Sequence, residues 1–230
     1  MVCMKNLRPA EAFDKSACSD EGFSLIELML VLLVLAILLA IAVPTFLGTT
    51  AAADNRSAQS NLVTAFTDAK TQFQNDGQTY LIGGTQNASA FASLLDAAQL
   101  DLKFRAGSLG SSASLGSSNS LTTISVAVSA DGYGLVLAAY SVPGNCYYVV
   151  DNAGPLSSAS TSTSPYAGVT AVTTTATSPV TAGSIGLPTA VGTNFVEVKG
   201  DTAKADCNAY TPKSSGAPGT VQYSTDGFPN

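Results

Sequence analysis

Residues 21–46 read EGFSLIELMLVLLVLAILLAIAVPTF, an almost unbroken apolar run with one carboxylate, Glu27, a few residues inside its start. About 20 such residues at 1.5 Å rise cross the hydrocarbon layer of a bilayer, so residues 23–47 predict a membrane-spanning helix, apolar on every face. A charged side chain at the centre of such a helix costs about 2.5–3.5 kcal/mol on insertion scales, which marks Glu27 as a functional residue in need of a partner. The plainer alternative sets Glu27 at headgroup level, where the cost is small.

Working outward, residues 1–22 form a polar leader with Lys5, Arg8 and Lys15 among Glu11, Asp14, Asp20 and Glu21. Beyond the run no basic residue occurs until Arg56. Orientation follows Lys and Arg, so the leader is expected inside and the C-terminal bulk outside. The cysteines divide accordingly. Cys3 and Cys18 precede the run and meet a reducing compartment; Cys146 and Cys207 follow it and meet an oxidising one, which makes them the natural disulfide. Such a bridge would close a loop of about 60 residues and add roughly 4 kcal/mol in the chain-entropy model. The alternative is two buried thiols.

Pro44, near the outer end of the run, lacks an N–H and its ring clashes with the preceding turn, so a kink or a locally melted turn is expected there. The helical pattern nevertheless continues. Ala58, Leu62, Ala65, Phe66, Ala69 and Phe73 recur at three- and four-residue steps, with Asp54, Arg56, Gln59, Asp68, Lys70 and Gln72 between them. Asn75-Asp76-Gly77 supplies the stop, Gly77 suiting the left-handed cap. The span (23–47) and the amphipathic half (48–77) together predict one helix of about 80 Å.

The remainder, residues 78–230, reads as a globular β-rich domain. Residues 89–100 carry Phe91, Leu94, Leu95 and Ala98 at helical spacing, and a Gly/Ser loop follows over 106–120. Residues 121–129, 133–142 and 146–150 alternate as three strands of a meander, the first two joined by the Ala130-Asp131-Gly132 turn. Residues 195–198 suggest a fourth, edge strand. The fold class is therefore α+β: a long N-terminal helix packed across an antiparallel sheet whose apolar face covers Leu62, Phe66 and Phe73. Residues 157–178 are Ser/Thr-rich and read as an exposed loop, plain or O-glycosylated.

Composition narrows the function. There is no histidine, which removes the usual general base, the commonest metal ligand and the Ser-His and Cys-His nucleophile pairs together. No P-loop, G-x-S-x-G or G-x-G-x-x-G occurs, and the chain reads as non-catalytic, with no cofactor. A net charge of −6 with no Lys/Arg cluster argues against nucleic acid as a partner. Asp131, Asp151, Asp201 and Asp226 offer carboxylates for calcium, but isolated Asp-Gly and Asp-Asn pairs are ordinarily turns, and no metal is assigned.

The junction Glu21-Gly22-Phe23-Ser24-Leu25-Ile26-Glu27-Leu28 resembles the class III signal of the type IV pilin family: a short basic leader ending in Gly, a cut, Phe as new first residue, and Glu four residues on. The resemblance covers Gly22 to about residue 47 closely, and the helix-then-sheet layout with a late disulfide loosely. It implies cleavage after Gly22 by a prepilin peptidase, N-methylation of Phe23, a single-pass N-in stay in the inner membrane, and assembly by a platform protein and an ATPase into an extracellular homopolymer held by its helices. Pro44 stands where many members carry a helix-melting proline, whereas Ala36 replaces a helix-loosening glycine and predicts less melting there. Cleavage would put an α-ammonium on Phe23, and Glu27 is its natural partner in apolar surroundings, within one chain or between neighbours. A major pilin is the leading expectation; a minor pilin, or a pseudopilin of a type II secretion or DNA-uptake system, shares the signal. Outside the family, Ala40-Ile41-Ala42 has the small-x-small form of an ordinary signal-peptide site, giving a secreted or membrane-anchored protein. An acid inside the run, the run's length, and Pro44 just past that cut all oppose this reading.

Overall fold

A computed structural model describes residues 22–106, 121–154, 171–172, 178–180, 183–184, 187–188, 190–200, 207–209, 213–214 and 219–229. The leader with Cys3 and Cys18, nearly all of the Gly/Ser loop, most of the Ser/Thr-rich stretch and Asp201 lie outside the described residues. The chain divides into two compact units, residues 1–46 and 47–230, and helix α1, Leu25–Asn75, contributes to both.

In the first unit every residue from 22 to 46 is exposed, and the helix is long and apolar enough to cross a membrane. It passes through Pro44 without a break, so the melted turn allowed for in the sequence does not form. Proline's fixed φ is itself helical, so the helix can continue through it with the loss of one backbone bond. Next to it the Thr45 hydroxyl donates to the Ala42 carbonyl at 2.9 Å.

In the second unit α1 is amphipathic as its sequence predicts. Ala58, Leu62, Ala65 and Ala69 are completely buried, and Phe66 and Phe73 pack against the same core. The helix stops at a left-handed pair, Gly77 (φ 70°) and Gln78 (φ 63°), where the Gln78 N–H reaches back to the Phe73 carbonyl at 2.9 Å, a Schellman-type closure. Helix α2, Ala88–Ala98, starts at Asn87, whose side chain accepts from the Ala90 N–H, and buries Phe91, Ala92 and Leu95.

The strands are β1 (Lys103–Ala106), β2 (Thr123–Val128), β3 (Gly134–Ser141), β4 (Asn145–Asn152), β5 (Ala171–Val172), β6 (Ser178–Val180), β7 (Gly183–Ser184), β8 (Leu187–Pro188), β9 (Gly192–Val198), β10 (Lys213–Ser214) and β11 (Gly219–Ser224). Seven form one sheet in the order β1-β2-β3-β4-β9-β11-β6; β10 pairs with β7 and β5 with β8 separately. The β2-β3-β4 meander matches the expected strands.

Three features depart from the expectation. The sheet is antiparallel except at β1–β2, which is parallel. A parallel pair needs a connection of about a dozen residues or more, and residues 107–122 supply that length. Second, residues 195–198 are the end of a longer strand that is internal, between β4 and β11. Their partner β11 lies between Pro218 and Pro229, prolines that mark the stretch as an irregular tail by sequence alone. Third, β2 and β3 are buried at every position rather than at alternate ones. One face, with Ile124, Val126, Leu135, Leu137 and Val149, packs with α1 and α2. The opposite face, with Val136, Ala138, Tyr148, Val150 and Val196, packs with Leu187, Cys207 and Ala209. At the β1 edge the Phe104 N–H is taken by the Asp96 carboxylate of the segment ending α2, at 2.7 Å, which blunts that edge for pairing.

Asp151 ties α1 to the sheet. Its side chain is 2% exposed, and Oδ2 receives the Lys70 ammonium and the Tyr80 hydroxyl, each at 2.7 Å. Its Oδ1 accepts from the Thr193 hydroxyl at 2.9 Å. Breaking a buried pair costs about 3–5 kcal/mol. Lys70 is one-third exposed, which screens the pair and sets the expectation for Asp151→Ala toward the lower end. Tyr80→Phe removes one hydrogen bond to a charged group and is expected to cost about 1.5–3 kcal/mol. Urea midpoints of the two variants in detergent check this order; equal midpoints would refute the tether.

Gly132 sits at φ 78° in the β2–β3 turn, its carbonyl accepting from the Tyr80 N–H at 2.8 Å. An added Cβ would lie 2.6 Å from Leu81 Cγ and closer still to Thr79 Oγ1. Gly132→Ala is therefore expected to destabilise by more than the ~1–2 kcal/mol of the left-handed conformation alone. The same urea titration measures it.

Burial pushes Tyr223 up to about 12. Burial, and then the neighbouring Glu197 carboxylate, holds Tyr147 well above the ordinary tyrosine range, its hydroxyl donating to Glu197 Oε1 at 3.1 Å. A folded pKa above the unfolded value of about 10 gives stability that is complete below pH 10 and lost as pH rises through the folded value. For Tyr223 that window is roughly pH 10 to 12. Phenolate absorbance should show Tyr147 and Tyr223 among the tyrosines that lag in the folded protein and no lag in denaturant; a single titration near pH 10 in both states would contradict this.

Candidate functional site

The candidate site is built from the head of α1. Gly22, Phe23 and Ser24 precede the first helical residue, and the Ser24 carbonyl accepts the first helical bonds from Glu27 N–H at 3.0 Å and Leu28 N–H at 3.2 Å. Gly22 is exposed with open space around it, and Phe23 is 77% exposed, so the Gly22–Phe23 bond lies in accessible, non-helical backbone. A peptidase needs that geometry, because a bond within a helix must first be unwound.

Glu27 lies in the first turn, where the unpaired N–H groups and the helix dipole favour a negative charge. It is exposed and forms no ion pair with any described residue. In the uncut chain Phe23 lies outside the helix, so no helical turn joins it to Glu27. Beyond them Leu28, Leu32, Leu35 and Leu39 share the all-round exposure of the run. Every backbone polar group within a helix of this kind is satisfied internally, so its side chains can rest against lipid or against other apolar helices.

The other sequence-predicted residues lie elsewhere. Pro44 is within α1, in the first unit. Cys146, on β4, and Cys207 are each completely buried in the cluster on the second face of the sheet. The Cys207 Sγ lies 3.2 Å from the Ala139 carbonyl. Ala139 adjoins Tyr140, the register partner of Cys146.

The carboxylates weighed for calcium are separated by role. Asp131 accepts from the Ser129 hydroxyl and the Tyr133 N–H, forming the β2–β3 turn. Asp151 holds the tether to Lys70. Among the described residues no group of three acidic, histidine or cysteine side chains converges. Sequence reasoning read Asp151-Asn152 as a turn pair and so missed its anchoring role. The available signal was a carboxylate closing the apolar run Tyr147-Tyr148-Val149-Val150, since a charge entering a buried strand needs a partner.

Residues 19–43 match the family model described as the prokaryotic N-terminal methylation motif. No curated protein and no solved structure matches the chain. The matched segment contains Gly22, Phe23 and Glu27 and implies processing by a prepilin peptidase. This motif heads a long apolar helix that is followed by an α+β helix-and-sheet fold, and in that layout the chain is similar to the type IV pilin family.

Proposed function

We propose that the chain is the major structural subunit of a type IV pilus, non-catalytic, inserted N-in in the cytoplasmic membrane, cut after Gly22 and polymerised outside through α1. The observation that carries this reading is the pairing of an accessible Gly22–Phe23 bond with an all-exposed apolar helix bearing one acid in its first turn. Within lipid, apolar helices gain little from each other; outside it, burial yields about 25 cal/mol per Å². Copies of α1 are therefore dispersed in the membrane and cohesive once extracted. Extraction needs external work, the task of an assembly platform and its ATPase. The weakly charged, Ser/Thr-rich outer chain suits a subunit repeated along a surface filament better than a rare tip subunit.

In this reading Glu27 receives the Phe23 ammonium that cleavage creates, and the partner's position fixes the axial register of an incoming subunit. Glu27→Gln is expected to leave cleavage intact and to reduce sheared filaments. If it leaves the ammonium unpaired in apolar surroundings, a cost of about 2.5–3.5 kcal/mol corresponds to roughly a hundredfold in the assembly equilibrium. Wild-type filament yield from this variant would sink the register role.

The Cys146–Cys207 bridge belongs to the same proposal, supported by the burial of both residues in one cluster and by export past the membrane. Intact mass and N-terminal sequencing of sheared surface material test processing and bridge together. N-methylated Phe23 at the terminus, a mass two hydrogen atoms below that of the reduced chain, and this chain as the dominant component are expected. A start at Val43 or an uncut chain would overturn the filament reading, and a trace amount beside another dominant subunit would reassign it as a minor pilin or pseudopilin.

A further inference from the structure

We draw no further inference here: the strongest candidate, the buried polar cluster in which the Glu197 carboxylate of β9 and the Gln222 side chain of β11 occupy paired positions with two oxygens left without hydrogen bonds, carries nothing because Tyr147 and Lys199 already partner that carboxylate and nothing else there points to a ligand.

Discussion

The second unit depends on one contact: the stripe of Ala58, Leu62, Ala65 and Ala69 laid against the sheet. Three of these four side chains are methyl groups, so the helix surface there is low. Interiors are packed to crystal-like density, so small side chains on a helix must be matched by close approach or by larger side chains opposite them. Larger groups fill in at the margins, where Phe73 meets Tyr80 at a tilt with ring centroids 4.6 Å apart and Tyr80 meets Phe91 edge-on at 5.7 Å. The Tyr80 hydroxyl then reaches Asp151 beside Lys70. Apolar packing supplies the attraction, and the buried carboxylate selects one position of helix on sheet, because only one position gives both of its oxygens donors.

The second consequence concerns composition. A chain with few aromatics and many Ala, Ser, Thr and Gly residues buries little area per side chain, so a single covered sheet face leaves a thin core. Here the core is doubled by burying the other face as well, under Leu187, Cys207 and Ala209. The cover is anchored by backbone as well as by packing: the Ala209 N–H donates to the Ser125 hydroxyl of β2 at 3.0 Å. Such polar anchors in the centre of a sheet are costly to leave unmade, which makes this short segment specific in where it lies.

What the sequence disclosed follows from the range of each signal. The helix and its stop were legible because periodicity and the Asn-Asp-Gly cap act over neighbouring residues. The β2-β3-β4 meander was legible because its turns are short and local. The internal place of β9 was not, because strand order depends on the distant β11. The parallel β1 went unseen for the same reason. Burial on both faces hid behind small residues: Ser125 and Ala127, or Ala138 and Ala139, read equally well facing solvent or core. At the site, Glu27 stood out because a lone acid in an apolar run is an energetic anomaly, whereas Gly22 and Phe23 stood out only through the resemblance of their junction to the class III signal. Asp151, whose partners Lys70 and Tyr80 lie some 70 to 80 residues away, could not be read that way.

The anomaly at Glu27 also shows what apolar packing alone leaves undetermined. Burial of Leu, Ile and Val side chains is non-directional, so two smooth apolar helices gain nearly the same free energy at many axial offsets. A filament built on that force alone would be cohesive without being regular. In the proposed filament one charge would remove the degeneracy, because an offset that strands it in apolar surroundings costs more than a small slip in packing returns. The acid is therefore best placed where it is tolerated before assembly and selective after it. In the proposed filament the first helical turn would meet both conditions: its N–H groups favour the carboxylate, and it is within a few residues of the ammonium that cleavage after Gly22 would create. Moved to the middle of the run, the same residue would oppose insertion; removed, it would leave the register of the proposed filament to non-directional packing.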